Sequence, residues 1–353
     1  MLSSISPPSY APFGGLRIWI DRRRTLTLAM LINVVLVASA LGCSSSQSLI
    51  VFSSDRDGNR EVYTVDPVTG NERNLTGSIG DEFAPTLSPD GKLVAFLSSS
   101  GEDVGIEVIE ASGEVLIRKS ITSGPGRYGS QRWAPDSTRI AYIHEIGGRP
   151  AIYVGGIEGK PSLLLTTIRA DEVSSWSPDG KSVAFSVREG EEQGVYIRNP
   201  DGVNEFRVTE TSDSGPIWSP DSKRFAFISV RDGNPEIYVM NTDGTEQRRL
   251  TESDAPEYDL SWSPNGKFLM FVTGSDSLAE IYITDPDALG HIRLTRNEVM
   301  DYKPVWSPNG KQIAFVSYLD GDAEIFLMSS SGGEQTRLTN NYAGDFGPSW
   351  SPE

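Results

Sequence analysis

From residue 49 onward the chain alternates short apolar runs with turns rich in Gly, Pro, Asn, Asp and Ser. Residues 302–306 predict a short strand, ended by Ser307-Pro308 because proline has no N–H to give a ladder. Asn309-Gly310 supplies the reversal. Residues 312–317 follow as a near-continuous apolar run, the pattern of a strand buried on both faces. Asp320-Gly321-Asp322 turns the chain into a third strand at 324–328, and Ser331-Gly332-Gly333 into a fourth at 336–339. No segment of this unit has the length and 3.6-residue period of a helix. The unit is four antiparallel strands.

The unit recurs. Trp306-Ser307-Pro308-Asn309-Gly310-Lys311 has close copies at Trp262 and Trp176, and looser ones at Trp218, Trp133 and Leu87; a last copy begins at Trp350. Successive intervals from Leu87 are 46, 43, 42, 44, 44 and 44 residues. That period suits four-stranded propeller blades. Second strands repeat as Val94-Ala95-Phe96, Ile140-Ala141-Tyr142, Val183-Ala184-Phe185 and Phe225-Ala226-Phe227; the small Ala leaves room for an aromatic of the facing blade. The apolar run at 49–52 is a second strand with no tryptophan strand before it, and Trp350 ends a first strand with no successor. These ends complete one another, which closes a ring and removes exposed sheet edges. The expected fold is therefore an all-β propeller over residues 49–353 with seven blades. Six is the alternative, with the irregular 87–133 interval as the place where a copy decays. The repeated tryptophans are expected in the core, each burying about 150–250 Å².

The 353 residues carry a formal charge of −17; without residues 1–42 there are 27 basic and 47 acidic residues. So acidic a body repels nucleic acid and anionic head groups, and its charge favours partners with a basic surface. The single cysteine, Cys43, excludes an intrachain disulfide and thiolate metal centres. His144 and His291 fall at non-equivalent places in different repeats and read as lone surface residues.

Residues 1–42 read as an export signal: Arg22-Arg23-Arg24, an apolar run from Leu26 to Leu41, then Gly42-Cys43. Ala40-Leu41-Gly42-Cys43 resembles a lipoprotein cleavage box, which makes Cys43 a lipidation site and 43–48 a polar tether. The competing cut, after Ala40, releases an unanchored protein. Either way the body is expected outside the cytoplasm, touching membrane only through a lipid.

The phrases Trp-Ser-Pro-Asp/Asn-Gly-Lys, Ser54-Asp55-Arg56-Asp57-Gly58-Asn59, Glu236-Ile237-Tyr238-Val239-Met240-Asn241 and Arg248-Arg249-Leu250-Thr251 resemble the propeller repeats of TolB-like proteins. The resemblance spans residues 49–353. The family's namesake is a periplasmic member of the Tol-Pal envelope system, with six blades behind a partner-binding α/β domain; the resemblance implies an envelope location and a protein partner for a propeller without that domain, for which no residues are expected here. Similar repeats form the non-catalytic propeller of prolyl-oligopeptidase-type peptidases, but no Gly-x-Ser-x-Gly elbow occurs.

Five residues before each tryptophan, or before Leu87, stand Glu82, Tyr128, Asp171, Asp213, Glu257, Asp301 and Asp345. Phe83, Tyr258, Tyr302 and Phe346 follow directly after four of them. The six acids are expected where one blade crosses to the next, at one mouth of the central channel, as a site for a cation or a basic partner. The plainer reading is that each holds its loop by local hydrogen bonds. No cofactor is expected, Ca²⁺ being the one ion such a ring would take. Asp55-Arg56-Asp57-Gly58-Asn59 lacks the Gly and Glu positions of a calcium loop and reads as a tight turn. The function read from these features is that of a non-catalytic binding or scaffold module at the cell envelope. The alternative is a propeller hydrolase or lyase acting on envelope peptide or polysaccharide; fold alone does not separate the two.

Overall fold

The computed structural model describes residues 48–353 apart from 102, 114–117, 123–124, 159–162, 167–168, 276–277, 289 and 352–353. The export signal, its cleavage box and Cys43 lie outside the described residues. The described strands form seven four-stranded antiparallel sheets, each an inner-to-outer meander. The innermost strands are Asp345–Trp350 (blade 1), Asp81–Leu87 (blade 2), Arg127–Trp133 (blade 3), Glu172–Trp176 (blade 4), Asp213–Trp218 (blade 5), Glu257–Trp262 (blade 6) and Asp301–Trp306 (blade 7). The 87–133 interval holds a complete blade, so the count is seven and not six.

Blade 1 is the composite one. Its inner strand comes from the end of the chain and pairs with Ile50–Ser54, Ile50 facing Trp350 and Ser54 facing Asp345. The Ser351 N–H donates to the Leu49 carbonyl at 2.8 Å, and the Leu49 N–H to Ser351 Oγ at 2.7 Å.

The core lies between blades rather than within one. Second strands are buried on both faces, as in Ile50–Ser54 and Val183–Val187. Ala226 faces blade 6, packed with Trp262 and Phe271, while its neighbours Phe225 and Phe227 face Ala184 of blade 4. Ala314 likewise meets Ile50 and Phe52 of blade 1. Small against large is thus repeated around the ring.

The tryptophans are less uniformly buried than their repetition suggests. Trp176 and Trp262 are buried, whereas Trp133, Trp218, Trp306 and Trp350 are half-buried. The two buried rings are covered by an arginine of the preceding blade, Arg139 at 5.0 Å and Arg224 at 5.4 Å. Several indoles also tie blades together. Nε1 of Trp133, Trp176 and Trp262 donates to the carbonyls of Thr86, Arg132 and Ile217 on the previous inner strand, at 3.0–3.3 Å.

The Ser-Pro-Asp/Asn-Gly-Lys turn joins inner to second strand. Ser307 Oγ donates to Asn309 Oδ1 and accepts the Gln312 N–H at 2.9 Å, while Asn309 Oδ1 accepts the Lys311 N–H. Gly310 closes the turn at φ 68°, a left-handed conformation that Ser137 and Ser222 adopt in the looser copies.

With these turns at one end of every blade, the antiparallel order places the second-to-third hairpins and the blade-to-blade crossovers together at the other end. Asn59 Nδ2 in the first hairpin donates to the carbonyls of Ser78 and Gly80 in the following crossover.

Candidate functional site

The crossover face is built around buried carboxylates. Third strands of four blades carry a glutamate at or near their start, and 21 positions on stands an acid of the next inner strand: Glu61 and Glu82, Glu236 and Glu257, Glu280 and Asp301, Glu324 and Asp345. All eight are buried. In blades 5, 6 and 7 the first glutamate is held by the fourth-strand arginine, Arg249, Arg293 or Arg337. Thr76, Thr295 and Thr339 each give a hydroxyl bond to the glutamate of the same blade. Crossover asparagines link two of the pairs. The Asn341 N–H donates to Glu324 and its Nδ2 to Asp345, both at 2.8 Å; Asn297 does the same for Glu280 and Asp301.

The six acids singled out by spacing therefore do share one face, and burial governs most of them. Glu82, Asp213, Glu257, Asp301 and Asp345 are buried, and Asp171 is half-buried, accepting the Arg188 N–H at 2.7 Å. Tyr128, the exception in the pattern, stacks on His144 at 4.1 Å. Phe83, Tyr258, Tyr302 and Phe346 are half-buried around them. The open negative charge of this face is carried instead by exposed acids in the hairpins and crossovers, among them Asp55, Asp57, Glu252, Asp254, Glu298 and Asp320. Among the described residues, no three His, Cys, Asp or Glu side chains converge to hold a metal ion.

What the spacing missed is the arginine partner. In blade 1, Arg56 donates to both oxygens of Asp345 at 3.0–3.1 Å while its guanidinium lies over Tyr63 at 4.4 Å and Phe52 at 5.7 Å. Arg231 repeats this in blade 5, on Asp213 at 2.9 Å, over Tyr238 at 4.6 Å and Phe227 at 5.7 Å. In blade 2, Arg118 reaches the corresponding place from further along the chain, on Glu82 at 2.8 Å and over Phe96 at 5.5 Å. The signal was present in Ser54-Asp55-Arg56-Asp57-Gly58-Asn59 and Ser229-Val230-Arg231-Asp232-Gly233-Asn234. These are the tight turns expected, but each also carries the arginine that neutralises a buried acid.

Blades 6 and 7 lack it: Ser275 and Leu319 stand in its place. Burial then raises the carboxyls of both inner strands, Asp301 above its ordinary value and Glu257 to about 7. Beside Glu257 opens a cavity of about 500 Å³, lined by Glu257, Phe271, Tyr282, Thr273 and His291 with the Glu280–Arg293 ion pair. His291 is exposed, as expected, but it borders this cavity rather than standing alone. It meets the Phe271 ring edge-on at 5.7 Å, and burial lowers its pKa.

A ring of seven four-stranded blades closed by the two ends of the chain defines a β-propeller. The TolB beta propeller domain family matches residues 17–208 and 118–298, and the chain belongs to that family. The Tol-Pal system protein TolB of Francisella tularensis is 30% identical over 159 residues, which is 44% of this chain and 36% of that protein. The chain thus spans well under half of that curated relative. Among solved structures, TolB from Acinetobacter baumannii aligns with a TM-score of 0.61 at 19% identity, covering 95% of this chain and 75% of the other. Oligogalacturonate lyase from Vibrio parahaemolyticus aligns at 0.63 and 18%, covering 79% and 85%. At these identities the structural likeness concerns the fold.

Proposed function

We propose that the protein is a non-catalytic binding module of the bacterial cell envelope, exported through residues 1–42 and anchored through Cys43. Its crossover face takes a protein partner with a basic surface. The observation that carries this reading is the division of labour among the acids. Buried carboxylates fix the crossovers, and exposed ones lie around them on a face whose apolar tips, Ile79 and Tyr342, are fully exposed. Such a surface attracts a positively charged partner at a rate that falls with salt. The Tol-Pal names of the relatives and the acidic composition support the same class.

The test is site-specific photo-crosslinking in cells from positions 79 and 342, followed by mass spectrometry. Recovery of one envelope protein with a basic surface, lost when Glu252, Asp254, Glu298 and Asp320 are changed to Lys, is the expected result. Crosslinks that ignore the charge reversal would remove this face as the docking surface. Acyl-chain labelling of the wild type and of Cys43→Ser tests the anchor separately.

A further inference from the structure

The cavity beside Glu257 lies where blade 5 carries an arginine side chain. Arg231 of blade 5 touches six groups: the rings of Phe227 and Tyr238, the carboxylate of Asp213, and the side chains of Thr211, Ser229 and Gln247. Moving 44 positions along the chain gives the blade 6 counterparts Phe271, Tyr282, Glu257, Ala255, Thr273 and His291. All six line the cavity. The counterpart of Arg231 itself is Ser275, whose hydroxymethyl group is too short to reach. Among the described residues no arginine stacks on Phe271 or Tyr282, although the two rings keep the 5.7 Å spacing found for Phe227 and Tyr238. Blade 1 shows that the arrangement is not peculiar to blade 5. There Arg56 meets Phe52, Tyr63, Asp345, Ser54 and Glu72, the last at the position of His291.

We infer that this cavity is a subsite for the guanidinium of an arginine borne by a partner protein, docking over Phe271 and Tyr282 against Glu257 as Arg56 and Arg231 dock within their own blades. The inference deepens the binding-module reading and rests on it for the identity of the arginine's bearer. The surroundings suit a cation. The Arg293 charge is offset by Glu280, and the exposed Glu252, Asp254 and Glu298 also border the opening. An aromatic pair with a carboxylate at its edge holds a guanidinium by cation–π attraction and a charge-assisted hydrogen bond. The volume lies in the range of pockets that take small ligands.

The test uses N-acetyl-arginine amide and its neutral isostere N-acetyl-citrulline amide, titrated against the propeller by NMR. The arginine amide should shift the resonances of residues around Phe271 and His291 saturably, with the citrulline amide at least ten-fold weaker. Glu257→Gln should weaken the arginine amide about ten-fold. Ser275→Arg should abolish its binding by filling the cavity from within, and Ser275→Ala should leave binding unchanged. Equal affinity for the two amides, or full binding to a folded Ser275→Arg protein, would overturn the subsite. Should Ser275→Arg fail to fold, a crystal soaked with the arginine amide decides, ligand density away from Phe271 counting against the proposal. Amide binding without any crosslinked partner would leave the subsite standing and remove the protein-partner reading. A partner retrieved equally by Ser275→Arg would show that the anchor lies elsewhere.

Discussion

Ile50 and Trp350 are register partners although the length of the propeller separates them in sequence. Trp350 Nε1 also donates to Ser48 Oγ at 2.6 Å, so the last blade strand is locked to the residues just before the first. Pairing with Asp345–Trp350 covers the edge of the Ile50–Ser54 strand, and its loss should expose that strand to pairing with another chain. A protein ending before Asp345 should therefore self-associate in multi-angle light scattering and melt in a broad, non-cooperative transition. The single change Trp350→Ala should cost about 3–4 kcal/mol, the lower part of the range for an aromatic because the ring is half-buried. A monomeric truncated chain with an unchanged melting curve would show that closure contributes nothing.

Arg231 is the partner of an acid that water does not reach. Asp213 has no exposed side-chain surface, and one of its oxygens is already without a hydrogen-bond partner. Taking away the guanidinium leaves a buried charge without its counter-ion, which is more harmful than never having had the pair. Arg231→Met should destabilise by about 2–4 kcal/mol. Asp213→Asn in the same chain should restore a large part of that, a coupling that a denaturant double-mutant cycle reads directly. Additive single-site effects would mean the arginine acts only by packing on Phe227 and Tyr238.

The fold was legible because its signals are repeated and local: a Ser-Pro-Asp/Asn-Gly-Lys turn, an apolar strand with Ala at its middle, and matching orphan strands at the two ends. The side-chain site was legible only in part. Spacing found Glu82, Asp213, Glu257, Asp301 and Asp345 together, since each sits at a fixed offset from its repeat's Trp or Leu87. It did not find their burial, because that depends on Glu61, Glu236, Glu280 and Glu324 and on arginines reached through strand pairing. Arg118 joins Glu82 from 36 positions away, so no offset shared with Arg56 or Arg231 could announce it. The cavity by Glu257 was the least legible feature, since it consists of an arginine replaced by Ser275. Only comparison with blades 1 and 5 shows that an arginine can stand at that position. The tryptophans misled in the opposite sense, since a repeated aromatic suggested uniform burial where only the arginine-covered Trp176 and Trp262 achieve it.

Ser222 has φ 61° at the turn position where Gly91, Gly180, Gly266 and Gly310 stand in other blades. A residue with a Cβ in this left-handed region costs roughly 1–2 kcal/mol, partly offset because glycine loses more freedom on folding. Ser222→Gly should therefore raise stability by up to about 1 kcal/mol. Ser137 has φ 59° but its Oγ accepts the Asp90 N–H of the preceding blade at 3.0 Å. Ser137→Gly should gain less, or nothing, because the inter-blade bond goes with the hydroxyl. Urea denaturation of the two variants separates the cases, and a destabilised Ser222→Gly would contradict the backbone argument.

Glu257 should give the propeller a pH dependence of its own. Its carboxyl is raised from 4.5 to about 7, first by burial and then by the Glu236 charge across the blade interface, against the lowering effects of Thr251, the Ile237 backbone and Arg249. Glu280, His291 and the Arg293 guanidinium share the cavity, with Glu252, Asp254 and Glu298 also bordering it. Between the unfolded and folded values the native state holds the proton more tightly than the unfolded chain. This contribution is therefore complete below about pH 4.5 and is lost as the pH rises through about 7. Water in the cavity screens part of the effect, leaving an expected size of about 1–2 kcal/mol. Glu257→Gln keeps the neutral form at every pH. Its stability relative to wild type should accordingly be level at pH 4.5 and higher by that amount at pH 8, measured by urea denaturation at both values. A difference between the two proteins that stays constant from pH 4.5 to 8 would mean that Glu257 is already ionised in its burial site.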